Sequence, residues 1–264
     1  MKIFYKNTIL NKKNIEINEN LFLGIGFFET IKFINKNILF FDQHINRILS
    51  NQFLPNEHSI SKDDILKNCN LIIKENKLID GLLKIVLLPK KEIRGDWEYY
   101  IYPRGLPIIE EQPVKIIFLS EKNYPLLRFK PMYKSLSYMG NMLGLNKAKQ
   151  NLAFEPIFYN QSKYITEGAM RNICFIKNKT LITPSLELGI LDGITKKIVM
   201  KLALKLDLDI KESKILLSDV NSMDEAFLVS TGIGVVPCFW DEWSSNFLNT
   251  NKLKNLYNET IKNH

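Results

Sequence analysis

Residues 133–141 read Tyr133-Lys134-Ser135-Leu136-Ser137-Tyr138-Met139-Gly140-Asn141, and three more segments follow in order. They are Tyr164-Ile165-Thr166-Glu167-Gly168-Ala169-Met170-Arg171-Asn172-Ile173, then Gly189-Ile190-Leu191-Asp192-Gly193-Ile194-Thr195-Lys196, and Val229-Ser230-Thr231-Gly232-Ile233-Gly234. Taken singly, each has a plain explanation: a surface lysine, a turn acid, a glycine before a helix, a strand end. Together they supply an amine, a carboxylate and a helix start whose amides, lacking intrahelical partners, suit an anion.

Outward from these segments the hydrophobic pattern alternates between strand and helix. Residues 3–10 and 27–34 read as strands, and a turn at Asn35-Lys36-Asn37 leads into another strand through Phe41. Asp42 is placed to cap a helix carrying Ile45, Ile48 and Leu49, and Ser61-Lys62-Asp63-Asp64 resembles a capping box before Ile65, Leu71 and Ile72. Strands follow at 82–88 and 99–102, and Pro103, Pro107 and Pro113 mark a linker near 104–112. Beyond it, strands are expected at 114–119, 156–159, 172–176 and 180–183, with helices near 138–152, 194–206 and 250–261. The reading is α/β (α+β), with a smaller domain over 1–106 and a larger one over 107–264.

A chain of 264 residues that is 45% hydrophobic can fill a real core. Its net charge of +8 comes from lysines spread along the whole length, so no basic stripe marks a nucleic-acid footprint. Cys69, Cys174 and Cys238 lack the spacing of a disulfide framework or a zinc site, which points to the cytoplasm and to no metal. The N-terminus alternates like a strand without the apolar run of a signal peptide, and no segment approaches membrane-spanning length. Gly24 and Gly26 make no dinucleotide fingerprint, because no third glycine follows in register. None of His44, His58 and His264 sits in a cysteine-hydrolase motif, so Cys174 reads as packing rather than as a nucleophile.

With Gly24-Ile25-Gly26-Phe27-Phe28-Glu29-Thr30-Ile31 and His44-Ile45-Asn46-Arg47 upstream, the order and spacing of these segments resemble the class-IV aminotransferase superfamily. Its members are fold-type IV pyridoxal-phosphate enzymes, among them branched-chain and D-amino-acid aminotransferases and aminodeoxychorismate lyase. The resemblance implies a two-domain fold like that of D-amino-acid aminotransferase, a homodimer, and pyridoxal 5'-phosphate as cofactor. It makes Lys134 the lysine that binds the cofactor covalently and then moves the substrate proton. It also makes Glu167 the partner of the pyridine nitrogen and Tyr138 a donor to the phenolic oxygen. Gly193, Ile194, Thr195, Thr231, Gly232 and Arg47 become the phosphate contacts. The chain departs from the pattern at Cys174, where an aromatic is usual, and at Pro89-Lys90-Lys91-Glu92-Ile93-Arg94-Gly95, where relatives have a glycine-rich loop.

Within the superfamily, the short chain and the segment from Leu181 to Thr195 look most like aminodeoxychorismate lyases. That resemblance implies a small-molecule amine bearing two carboxylates, which cationic side chains should receive; Lys32, Arg94 and Arg104 are the candidates by position. An aminotransferase acting on branched-chain or D-amino acids with 2-oxoglutarate is the alternative. A protein that keeps the fold or the cofactor without turnover is a third class.

Overall fold

The computed structural model describes residues 1–5, 8–11, 18–55, 58–109, 111–128 and 133–264. By its backbone contacts the chain forms two units: Met1–Pro107 with Tyr133–Ser137 and His264, and Ile108–Met132 with Tyr138–Asn263. The segment carrying Lys134 thus packs with the N-terminal unit, although it lies beyond the proline-rich stretch in sequence.

The first unit is built on strands β1 (Lys2–Tyr5), β2 (Thr8–Asn11), β3 (Phe27–Ile34), β4 (Asn37–Ile38), β5 (Gly81–Pro89) and β6 (Trp97–Arg104). They form one antiparallel sheet in the order β2-β1-β6-β5-β3-β4. Three helices accompany it: α1 (Glu19–Phe22), α2 (Phe41–Leu49) and α3 (Lys62–Glu75). Period-two alternation gives the central strands two unlike faces. Ile31, Phe33, Leu83, Ile85 and Ile101 are completely buried, and α2 and α3 pack on the sheet with Ile45, Ile65 and Ile72 equally buried. Phe28, Thr30, Lys32, Leu82, Lys84, Val86, Tyr100, Tyr102 and Arg104 share the other face, because Lys84 pairs with Thr30 and Tyr102 while Leu82 pairs with Lys32 and Arg104.

The second unit holds β7 (Val114–Ser120), β8 (Glu155–Tyr159), β9 (Ile165–Gly168), β10 (Asn172–Lys177), β11 (Thr180–Pro184), β12 (Asp209–Ser213), β13 (Glu225–Ser230) and β14 (Gly234–Phe239). Its sheet runs β12-β11-β10-β13-β14-β7-β8-β9, parallel at the β11–β12, β14–β7 and β7–β8 pairs and antiparallel elsewhere. Helices α4 (Met139–Gln150), α5 (Ile194–Leu204) and α6 (Leu248–Lys262) pack against it. A cluster of buried side chains around Ile116, Ile157, Ile173, Phe175, Leu228 and Val236 fills the core. Among the described residues no helix is long and apolar enough to cross a membrane.

The mixed α/β reading holds, with two sheets. Several local expectations change. The strand expected over 3–10 is a hairpin, β1 pairing back on β2, with Lys6 and Asn7 outside the described residues. The strand expected through Phe41 ends at Ile38; Phe40, in the left-handed region at φ 51°, starts α2 without a side-chain cap, and Asp42 falls inside the first turn. Ser61 does cap α3, accepting from the Asp64 amide at 3.3 Å. Strands β9, β12, β13 and β14 are elements that the sequence pattern does not predict.

Candidate active site

Every second residue of β3 turns toward α2, and at one of those positions the chain places an acid. Glu29 is 1% exposed and accepts from Arg47 at both oxygens, Nε to Oε1 at 2.6 Å and Nη2 to Oε2 at 2.8 Å. The ring Nδ1 of His44, one helical turn before Arg47, lies 2.8 Å from the same Oε2. Burial alone would push the Glu29 carboxyl up, but the Arg47 guanidinium and His44 outweigh it and hold it well below the usual carboxylate range. The His-x-x-Arg pattern thus puts both side chains on the face of α2 that covers β3.

Lys134 is pinned by its backbone beside β3: its carbonyl accepts from the Phe28 amide at 2.8 Å, and Ser135 bridges to Phe27. Gly26 gives the chain room to pass, since at φ +150° a Cβ there would meet Leu87 O and Leu88 Cδ2 at 2.6 Å. The half-buried Lys134 sets its Nζ 4.6 Å from the centroid of the Phe28 ring. Lys84 sets its own Nζ 3.9 Å from that centroid. Burial, then Arg104 and Lys134, bring the Lys84 amine down to about 8. Lys32, also lowered by burial, lies on the same sheet face with Arg104. Arg94 does not join them: it is exposed in the β5–β6 turn, at the opposite end of that hairpin from Arg104.

In the second unit, Glu167 on β9 is nearly buried at 8% exposure. Its Oε1 accepts from Arg128 Nη1 at 2.5 Å, and its Oε2 accepts from the Leu191 amide at 3.1 Å and Asn172 Nδ2 at 3.4 Å. Asn172 also donates to Leu191 O at 2.9 Å, which ties the acid to the loop entering α5. Gly193 is the N-cap of α5 and makes no side-chain cap bond; a Cβ there would meet Asn172 Oδ1 at 2.0 Å. Ile194 and Thr195 follow, both buried. Burial pushes the phenol of Tyr257 on α6 up, and the neighbouring Thr195 side chain partly offsets it. Thr231 and Gly232 form the half-buried β13–β14 turn, where a Cβ on Gly234 would meet Tyr257 Cε1 at 2.9 Å. One tyrosine therefore adjoins both the helix opening and the turn. Tyr138, half-buried, is the N-cap residue of α4.

Cys174 is fully buried, and burial pushes its thiol up to about 12, as expected of a packing residue. Three residues of these clusters escape sequence reading. Lys84 has one signal, a single cation inside the apolar run 82–88. Arg128 and Tyr257 have none, because only tertiary structure brings them to Glu167 and Thr195.

Residues 26–238 match the family model described as amino-transferase class IV. The chain is 27% identical over 259 residues to the aminodeoxychorismate lyase of Bacillus subtilis, covering 91% of this chain and 87% of that protein. It is 26% identical over 258 residues to the D-alanine aminotransferase of Listeria monocytogenes serotype 1/2a, covering 90% and 86%. Among solved structures, the branched-chain amino acid aminotransferase of Escherichia coli superposes with a TM-score of 0.88 at 18% identity, covering 98% of this chain and 94% of that one, a likeness of fold. Matched over most of its length, the chain belongs to the class IV aminotransferase family.

Proposed function

We propose that the chain is a 4-amino-4-deoxychorismate lyase, releasing pyruvate and p-aminobenzoate, with pyridoxal 5'-phosphate as its cofactor. The observation that carries this reading is the cationic sheet face: Lys32, Lys84 and Arg104 stand on the side of β3, β5 and β6 that also presents Phe28, over which Lys134 lies. That much positive charge suits a substrate with two carboxylates.

The residue types fit the cofactor. Uncapped amides at Gly193 to Thr195, the Thr231–Gly232 turn and the Arg47 guanidinium are donors for a phosphate. Glu167 is the carboxylate for a ring nitrogen, Tyr138 the donor for a phenolic oxygen, and Lys134 the amine that forms the covalent link. When bound, the cofactor draws electrons from the carbon that bears the substrate amine.

In this reading Lys134 Nζ takes the proton from that ring carbon. The neighbouring C–O bond then breaks, and the three-carbon fragment accepts a proton and leaves as pyruvate while the ring becomes aromatic. Glu167, held in place by Arg128, Leu191 N and Asn172, keeps negative charge where the ring nitrogen is protonated. Lys32, Lys84 and Arg104 orient the carboxylates. We further place the enzyme in the cytoplasm, in line with its three buried free cysteines, and propose a homodimer on the family resemblance alone.

Product analysis tests the reading. Purified protein supplied with the cofactor and 4-amino-4-deoxychorismate should release p-aminobenzoate and pyruvate in equal amounts. Glutamate-dependent amino transfer without p-aminobenzoate would overturn it in favour of an aminotransferase.

A further inference from the structure

Arg128 is divided between two acids. Its Nη1 donates to Glu167 Oε1 at 2.5 Å, while Nη2 and Nε donate to Glu121 Oε1 at 2.6 and 3.1 Å. Glu121 is fixed in turn by the Thr166 hydroxyl, which donates to the same oxygen at 2.7 Å. Thr166 and Glu167 are adjacent on β9, so strand and guanidinium form a closed ring of contacts. Glu121 also lines an open cavity with Lys122, Tyr124, Leu126, Asn160 and Gln161.

A carboxylate paired with a single guanidinium forms a neutral couple, and its field on a neighbouring base largely cancels. A second carboxylate on the far edge of the same guanidinium changes this balance: one positive and two negative charges leave a net charge of about −1. It also fixes the plane of Arg128, so that only Nη1 faces Glu167 and Oε2 stays with Leu191 N and Asn172.

We infer that Glu121 is a positioning residue for the cofactor chemistry: by sharing Arg128 it restores negative charge at Glu167 and so strengthens the hold of Glu167 on a protonated ring nitrogen. This rests on the reading that Glu167 faces that nitrogen, and the test separates the two. The holoenzyme is loaded with pyridoxal phosphate labelled with 15N in the ring, and the 15N chemical shift is followed against pH for the parent chain and for Glu121→Gln, Glu121→Asp, Arg128→Met and Glu167→Gln.

Glu121→Gln lowers the titration midpoint of the ring nitrogen by about one pH unit, the low end of what one nearby charge does. Glu121→Asp, which keeps the charge, stays near the parent value, and Arg128→Met moves the midpoint upward, which provides an independent arm should the Gln variant fail to fold. A merely structural role for Glu121 would leave the Glu121→Gln midpoint unmoved. An unmoved midpoint in Glu121→Gln, or in Arg128→Met, together with a shifted one in Glu167→Gln, overturns the inference alone. An unmoved midpoint in Glu167→Gln overturns the placement of Glu167 and the inference with it.

Discussion

Lys84 and Lys134 hold their ammonium nitrogens 3.9 and 4.6 Å from the centroid of one ring, that of Phe28. The ring face favours a cation, while burial and then the like charges of Arg104 and Lys134 disfavour one at Lys84, so an anion arriving at Lys84 is welcomed. In the proposed lyase, the pair would couple recognition of a carboxylate to the lysine that does the chemistry.

The Lys84 amine, held down to about 8 by burial and by its cationic neighbours, sets a pH limit. Its charge is present below that value and lost above it, so kcat/KM for the lyase reaction should fall as pH rises through about 8. Lys84→Arg should shift that fall upward, since a guanidinium stays charged. Lys84→Met should raise KM by roughly 10- to 100-fold with kcat within a few-fold, the loss of one charge-assisted hydrogen bond. A steady-state pH series on the three proteins checks this; an unaltered KM in Lys84→Met would remove the sheet face from substrate binding.

Glu29 should govern acid stability. Its carboxyl is lowered in the folded chain, so its contribution is complete above the ordinary value of 4.5 and is lost as pH falls below it. Glu29→Gln should cost about 3 kcal/mol at pH 7, because Arg47 and His44 lose a buried partner. The gap from the parent chain should narrow by about 1.4 kcal/mol for each pH unit below 4.5. Urea unfolding at several pH values measures it; a gap independent of pH would contradict the account.

Gly193→Ala should act on cofactor binding more than on folding. The added methyl meets Asn172 Oδ1, displacing the side chain that ties Glu167 to Leu191. Affinity for pyridoxal phosphate, measured by fluorescence titration of the apoprotein, should drop at least about tenfold, while stability falls by about 1–3 kcal/mol.

Arg171 pairs with Glu155, a carboxylate whose burial pushes it above the usual range despite that partner. Arg171→Met should therefore cost about 3–5 kcal/mol, and adding Glu155→Gln in the same chain should recover more than half of the loss. Denaturant melts of the single and double variants test this; additive losses would show that the pair is not coupled.

Strong periodicity made much of the fold legible. β3 runs over the residues expected of it, and Ser61 and Gly193 open their helices as read. The N-terminal hairpin was not legible, because the polar run Lys6-Asn7-Thr8 that interrupts residues 3–10 carries no Gly or Pro to mark a reversal between β1 and β2. Strands β13 and β14 are apolar on both faces, so their boundaries depend on tertiary packing rather than on alternation. The same limit applies to the clusters. A lysine at position 84 becomes informative only when strand register sets it beside Thr30 and near Phe28, and Arg128 reaches Glu167 across 39 residues of chain.

Reduction with borohydride tests the central claim most directly. Protein loaded with pyridoxal phosphate, reduced and digested, should yield a single phosphopyridoxyl-modified peptide carrying the label on Lys134, and Lys134→Ala should yield none. A label on another lysine, or equal labelling of the variant, would contradict the assignment.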